Sequence, residues 1–353
     1  MKSFEYAQPV SLQEALLLLR KERGEVLAMG GGTSLLSLLK DGLAEPRKIV
    51  SLASVDELKE IRFKGTSLQI GAMATLTDLL ESERVRRLYP SVIDAVEAVA
   101  SPQLRNQGTA GGQVMRRPEC WYFRRGYGLY GTGPGVSLPE EGDHRDHAVF
   151  GNSGPAKFVN SSRLAPVFWA LDASFMFVTA YRNVGEGEMM ERPISRGIKV
   201  FFRHDGSRVF TVPKSVQETG LIDVPEALLS HLWLPPRMPT AAYYEVRSRK
   251  GLDQPEASAT VALEMDGDTV RRARVVLGHV APIPWRVDVN EVLYGQPVTE
   301  ATAEAASKLA VAGATPLPHN QHKVELARIA TKRALLKAIG RIDQGVDQRR
   351  NGK

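Results

Sequence analysis

The chain has 353 residues, 43% of them hydrophobic and 24% charged, and a formal net charge of +6. This is the composition of an ordinary globular protein, long enough for two domains. The basic residues are scattered, and no RNA-binding aromatic motif, helix-turn-helix signature or zinc-finger spacing occurs, so no nucleic-acid partner is predicted. A single cysteine excludes a disulfide framework, and no apolar run could span a membrane. We therefore predict a cytoplasmic protein.

The first predicted elements are a helix, a strand and a glycine-rich loop. Residues 11–24 carry a capping box of Ser11 and Glu14 before a leucine stripe, which predicts a helix. The sequence "EVLAM" (25–29) predicts a short buried strand, and three glycines follow it. Glycine costs backbone entropy, so such a run indicates an unusual turn or a closely approaching group such as a phosphate. A helix capped by Thr33 or Ser34 is predicted next.

A second glycine-rich loop is predicted at 103–114. It follows a strand, turn and helix over 68–82, with Thr75 or Thr77 as N-cap, and a helix over 89–102 that Pro102 is expected to end. Residues 115–155 show no periodicity and are predicted to form a long loop or insertion.

The pattern changes towards the C-terminus. Helix and strand signals return from 156, and a strand over 227–236 precedes a predicted boundary at 236–241. Residues 257–278 then predict a hairpin with its turn at Asp266-Gly267. Two helices are predicted to follow, at about 298–312 and 322–340.

The two glycine loops together predict an anion-binding site. The stretches 29–34 and 108–113 both combine bare backbone N–H groups with hydroxyls, and successive N–H groups form concavities that bind phosphate. Thr33, Ser34 and Thr109 can donate further hydrogen bonds. One such loop is more often a tight turn, but two in one domain suit a diphosphate held from both sides.

Other motifs favour structural interpretations. "GYGLYG" (126–131) matches the dinucleotide spacing but has no strand before it and no helix after it. Cys120 alone cannot hold an iron–sulfur cluster and is interpreted as structural. Two pairs of histidines are predicted to be solvated loop residues rather than metal ligands: His144 with His147, and His319 with His322.

Several motifs in order resemble the FAD-binding middle subunit of molybdopterin-dependent hydroxylases, the xanthine dehydrogenase and carbon monoxide dehydrogenase family. The resemblance covers nearly the whole chain. It is carried by "FEYAQPVSLQEALLLL", "GGGTSLLSLLK", "IGAMATLTDLL", "LRNQGTAGGQV" and "VVLGHVAPIPWR". It implies an α+β protein: a two-subdomain FAD-binding fold of the p-cresol methylhydroxylase type over 1–236, with the insertion at about 115–155, and a C-terminal domain with antiparallel sheet and helices over 241–345.

The resemblance also implies where FAD would bind. The first loop would wrap the diphosphate, the second would grip it, and three further residues would lie near the flavin. In that order these residues are Ala28, Met29, Gly30, Gly31, Gly32, Thr33, Ser34 and Leu35; Thr109, Gly111, Gly112 and Gln113; and Leu229, Arg163 and Glu245. No catalytic or metal-binding residue is predicted.

Partners follow from the same resemblance. Electrons would come from a small [2Fe–2S] subunit, which would receive them from a large molybdopterin subunit, and would pass to NAD⁺, dioxygen or a carrier. "PECWYFRRG" (118–126) resembles the aldehyde oxidoreductase and hydroxybenzoyl-CoA reductase subgroup, whose insertion holds a [4Fe–4S] cluster. Because only Cys120 is present here, we predict no iron–sulfur cluster in this chain.

Three departures from the family pattern concern the flavin side. Gln113 replaces an asparagine, Arg163 replaces an acidic residue, and Glu245 replaces a lysine. A swapped Arg163–Glu245 pair would compensate both charge changes if the two side chains touch. Two alternatives stay open: a structural subunit of the same complex that binds flavin poorly, and a stand-alone flavoprotein oxidoreductase.

Overall fold

The computed structural model describes residues 1–19, 25–99, 101–116, 118, 120–132, 137–182, 189–197, 202–203, 210–211, 227–235, 240–249 and 251–341. The first unit is a parallel sheet of three strands in the order β1-β3-β2. Its elements are β1 (Glu5–Ala7), α1 (Leu12–Leu19), β2 (Val26–Met29), α2 (Leu35–Lys40) and β3 (Lys48–Ser51). Helix α1 buries Leu12, Ala15 and Leu16, as its leucine stripe predicts. The last five residues predicted for this helix, 20–24, lie outside the described residues.

A second, antiparallel sheet has the strand order β4-β5-β10-β6-β7. Its strands are β4 (Ile61–Lys64), β5 (Ser67–Gly71), β6 (Ser174–Arg182), β7 (Met189–Gly197) and β10 (Ala227–Leu234), with β8 (Phe202–Arg203) and β9 (Phe210–Thr211) paired separately. A 3-10 turn (Asp56–Leu58) precedes it. Helices before β6 are α3 (Leu76–Glu81), α4 (Glu83–Leu88), α5 (Pro90–Glu97), α6 (Pro102–Gln107), α7 (Ala110–Val114), α8 (Trp121–Arg124), α9 (Leu138–Glu141) and α10 (Leu164–Ala170).

The C-terminal sheet is antiparallel, in the order β11-β12-β13-β14. Its elements are β11 (Thr240–Val246), β12 (Ala257–Asp266), β13 (Thr269–Gly278), β14 (Trp285–Val287), α11 (Asn290–Leu293), α12 (Glu300–Val311) and α13 (His322–Ala338). Helix α13 packs on β11 and β12, while α5 and α10, from the N-terminal part of the chain, also pack against this sheet. The sheet is thus covered by helices from both parts of the chain.

The structure corrects three local predictions. Pro102 does not end the preceding helix, which stops at Glu97; it opens α6, where a proline in the first turn loses no hydrogen bond. The second glycine loop is partly helical, because the Thr109 hydroxyl caps α7. Asp266 pairs with Thr269, so the hairpin turn lies one residue later than predicted.

The predicted boundary at 236–241 falls largely on residues outside the described ranges, and the division into domains stays a prediction. The insertion contains only the short helices α8 and α9 among its described residues. It is tied to the first unit by Arg124, whose guanidinium lies 2.8 Å from the Asp41 carboxylate and 2.7 Å from the Ser37 hydroxyl. Polar contacts over a long sequence distance therefore attach this segment to the first unit.

Candidate cofactor site

Both glycine loops line one cavity. The first loop follows β2, the second caps α7, and the space between them measures about 190 Å³. The residues lining it are Leu27, Ala28, Met29, Gly30, Gly31, Gly32, Thr33, Ser34, Leu35, Leu38, Gly108, Thr109, Gly112, Gln113, Met115 and Arg116. The loops are far apart in sequence, and the two sheets bring them together as predicted.

The backbone of the first loop takes a course that requires glycine at two positions. A Cβ atom at Gly31 would lie 1.5 Å from the Gln107 carbonyl oxygen, so no side chain fits between the loops. Gly32 has a φ of +72°, a left-handed conformation that favours glycine. The glycine run therefore allows the two loops to touch and shapes the wall of the cavity.

The first loop offers hydrogen-bond donors. Among the described residues, none accepts a hydrogen bond from the backbone N–H groups of residues 30–35. The Thr109 oxygen accepts from the Gly112 N–H at 3.1 Å, which leaves the hydroxyl hydrogen free to donate. A cradle that excludes side chains and presents successive N–H groups fits the diphosphate of a dinucleotide.

A smaller cavity of about 80 Å³ continues from the first. The residues that line both cavities are Thr33, Ser34, Gln113 and Arg116. The rest of its wall consists of Val99, Leu104, Arg163, Gly251, Leu252 and Gln254. This end of the site therefore combines two arginines with three apolar side chains.

Arg163 is held by Glu245 in a buried network. Arg163 Nε lies 2.8 Å from Glu245 Oε2, and the two side chains are only 5% and 6% exposed. Arg247 Nε lies 3.0 Å from the other carboxylate oxygen, and the Tyr243 hydroxyl donates to Glu245 at 2.6 Å. Burial opposes the charge on Arg163, but Glu245 and Tyr243 outweigh this and raise the guanidinium pKa. The contact on which the hypothesis of a swapped Arg163–Glu245 pair depends is present.

Three of the predicted site residues lie away from the cavity surface. Gly111 faces Ala72, the residue after β5, since a Cβ at Gly111 would lie 2.8 Å from the Cβ of Ala72. Leu229 lies in β10 within the apolar core and is 6% exposed. Glu245 lies behind Arg163. The predicted packing of Leu229 near the flavin ring stays a prediction.

Sequence reasoning missed Arg116 and the segment around Gln254. Arg116 lines both cavities, and its guanidinium lies 2.9 Å from the Gln254 side chain, whose amide is oriented here so that its oxygen accepts. The sequence contained a signal for Arg116, because two consecutive arginines, Arg116 and Arg117, come one residue after the second loop. Gly251, Leu252 and Gln254 line the smaller cavity because of a contact between distant parts of the chain. No local sequence pattern predicts such a contact.

The prediction of solvated histidines was wrong for the insertion. His144 and His147 are only 1% and 3% exposed. His144 Nδ1 donates to the Pro139 carbonyl at 2.8 Å and Nε2 accepts from the His319 N–H at 2.9 Å, which fixes a neutral tautomer. Both side chains are buried because the insertion packs against the C-terminal part of the chain. In the described part of the chain, no group of three or more possible ligands could hold a metal.

Acid is expected to weaken folding through His147. Burial, helped by the Lys323 charge, lowers the pKa of this imidazole from 6.5 to about 4. Between these values the unfolded chain binds more protons, so stability is full above the unfolded pKa and declines as the pH falls, by up to about 3 kcal/mol. Urea unfolding at a series of pH values should show this decline, and His147→Phe should flatten it. Equal slopes in both proteins would contradict the assignment.

Two family models and several known proteins match this chain. Residues 2–189 match the family described as FAD binding domain in molybdopterin dehydrogenase, and residues 242–338 match the CO dehydrogenase flavoprotein C-terminal domain. The aldehyde oxidoreductase FAD-binding subunit PaoB of Escherichia coli (strain K12) is 30% identical over 93% of this chain and 96% of its own. The carbon monoxide dehydrogenase medium chain of Hydrogenophaga pseudoflava is 28% identical over 96% and 98%.

Solved structures share the fold. Quinoline 2-oxidoreductase from Pseudomonas putida 86 superposes with a TM-score of 0.70 at 24% identity, over 97% of this chain and 100% of that one. None of the helices in the described ranges has the length and apolarity needed to cross a membrane. The first domain match spans more than half of the chain and contains both glycine loops. The chain therefore belongs to the family of FAD-binding subunits of molybdopterin dehydrogenases.

Proposed function

We propose that this chain is the FAD-binding electron-transfer subunit of a multi-subunit molybdopterin-dependent hydroxylase or dehydrogenase. Its partners would be a large molybdopterin subunit and a small [2Fe–2S] subunit, and electrons would leave to an external acceptor. The observation that carries the proposal is the contact of the two glycine loops at Gly31 and Gln107, around a cavity with open N–H groups. The relatives named above are subunits of carbon monoxide dehydrogenase and aldehyde oxidoreductase, which supports an oxidoreductase complex.

The residues of this chain would bind and orient the cofactor. The N–H groups of residues 30–35 would donate to phosphate oxygens, Thr109 would add a hydroxyl donor, and the Arg116 charge would balance the diphosphate. Arg163 would place a positive charge at the other end of the site, where Glu245 fixes its position. When bound, FAD would supply the redox chemistry itself, and the protein would tune it electrostatically.

Purified protein is expected to be yellow and to contain about one FAD per chain but no iron. The reason is that both loops are in place for the cofactor, while the insertion supplies a single cysteine. An absorption spectrum combined with iron analysis measures both. Stoichiometric iron with a broad shoulder beside the flavin bands would contradict the prediction for the cluster. A colourless protein that cannot be reconstituted with FAD would contradict the proposed function.

A structural subunit with weak flavin affinity is the second candidate. The observation that favours it is the exchanged charge pair, which places a carboxylate and two guanidinium groups where the family pattern has a single lysine and an acid. FAD titration of stripped protein distinguishes the candidates. Tight, stoichiometric rebinding supports the electron-transfer subunit, and weak binding supports the structural one.

A further inference from the structure

A separate cleft lies between the insertion and the C-terminal part of the chain. It measures about 610 Å³, within the range of sites for small organic ligands. Trp121, Phe158 and Pro255 give it apolar walls, and Arg116 and Gln254 separate it from the cofactor cavity. None of the functions described so far uses this cleft.

The buried end of the cleft holds a positive charge without a carboxylate partner. Lys323, on α13, is 1% exposed, and its Nζ donates to the Asp146 carbonyl oxygen at 2.9 Å. Within the described ranges, no carboxylate lies within ion-pair distance of this ammonium group. Burial of a charge is costly unless a counter-charge compensates for it.

His147 lines the same end and also lacks partners. It is 3% exposed, and neither ring nitrogen has a hydrogen-bond partner among the described residues. Buried polar groups in folded proteins are nearly always hydrogen-bonded, so an unpaired imidazole indicates a group that completes it. Since burial keeps the ring neutral, it offers one N–H donor beside the Lys323 charge.

Three carboxylates line the cleft, those of Asp146, Asp253 and Glu256, and the last two have hydrogen-bond partners. Asp253 accepts two hydrogen bonds from Arg249, at 2.9 and 3.0 Å, and Glu256 accepts one from the Ser248 hydroxyl. The charges of Asp146 and Glu256 favour the Lys323 ammonium group from beyond ion-pair distance. Among the described residues its Nζ makes one hydrogen bond, which leaves two N–H groups that can donate to an anion.

We propose that the cleft binds a small aromatic monocarboxylate. Its carboxylate lies against Lys323 and His147, and its ring lies against Phe158 and Trp121. An inorganic anion would leave the apolar walls uncovered, and the described residues provide no cluster of metal ligands here. The cleft shares only Arg116 with the larger cofactor cavity among the described residues, so binding is expected with FAD in place.

Benzoate titrated into the FAD-loaded full chain tests the proposal by calorimetry. We expect saturable binding of one benzoate per chain, and binding of the uncharged analogue benzamide weaker by roughly 10- to 100-fold, the range of a charge-assisted hydrogen bond. Lys323→Met should weaken benzoate binding by a similar factor. Lys332→Met is the matched control, because this lysine lies on the same helix but pairs with Glu300 and Glu304 on the surface.

Three results would overturn the proposal. They are benzamide binding as tightly as benzoate, no saturable binding of either, and a soaked crystal with only water between Lys323 and His147. If Lys323→Met does not fold, Trp121→Ala decides, because Trp121 is 68% exposed and its loss leaves the core intact. Benzoate affinity should then fall several-fold, and an unchanged affinity would overturn the proposal.

Discussion

Gly31→Ala is expected to yield protein without FAD. The added methyl would lie 1.5 Å from the Gln107 carbonyl oxygen. The oxygen belongs to the backbone and the position of the methyl is fixed by it, so neither atom can rotate away. The loops must separate, and the N–H groups lose their arrangement around the cavity. Overpacking of this kind costs about 3 kcal/mol or more, which corresponds to a loss of FAD affinity of at least about a hundredfold. FAD content after purification and titration of stripped protein measure the effect.

The neighbouring glycines provide graded controls. Gly30→Ala places its methyl 3.0 Å from the Thr109 hydroxyl, a contact that a small side-chain movement relieves. Gly313→Ala meets no atom within 4 Å and should leave both stability and FAD content unchanged. The expected order of damage is therefore Gly31, then Gly30, then Gly313. A Gly31→Ala protein with full FAD content would show that the cofactor does not need the contact between the loops.

Glu245→Gln is expected to destabilise the protein more than Arg163→Met. Removal of the carboxylate charge leaves Arg163 and Arg247 facing each other in a buried space without compensation, at a cost of about 3–5 kcal/mol. Removal of Arg163 leaves Glu245 still bound by Arg247 and Tyr243, so the loss is nearer about 2 kcal/mol. Thermal and urea unfolding of the two variants measures the difference.

A double-mutant cycle tests whether the two residues act as a pair. The contact predicts a coupling energy between them of about 0.5–3 kcal/mol. The exposed Arg249–Asp253 pair, with side chains 80% and 28% exposed, is the control and should couple by less than about 1 kcal/mol. Coupling within error of zero between Arg163 and Glu245 would mean that the exchanged charges do not compensate each other.

Local patterns predicted the regular elements well. The hairpin strands β12 and β13, helix α12 and the strand before the first glycine loop occur where the sequence places them. Strand β2 was wrongly predicted to be buried, since none of its residues is fully buried. These elements are determined by neighbouring residues, so a single sequence contains their signal. The occurrence of two similar glycine loops in one domain predicted a site held from both sides, and both loops line one cavity.

Contacts across the fold account for what the sequence did not predict. Arg116 enters the site because its guanidinium meets Gln254, and the histidines of the insertion are buried because His319 and Lys323 approach them from the C-terminal part. The prediction that Pro102 ends a helix was wrong for a local reason. Proline occurs in the first turn of a helix as well as after its end, and here it starts α6. Only the three-dimensional structure decides such cases.

Helices from both parts of the chain cover the C-terminal sheet, and this constrains the order in which the chain can fold. Tyr243, Ala262 and Val276 belong to the same core as α5 and α10, and Lys337 on α13 reaches the buried Asp94 carboxylate at 2.8 Å. The hairpin of β12 and β13 can form early from local contacts, but one face of the sheet stays apolar and uncovered until the N-terminal helices arrive. The C-terminal segment therefore cannot complete its core alone, and the two parts of the chain depend on each other for a folded state.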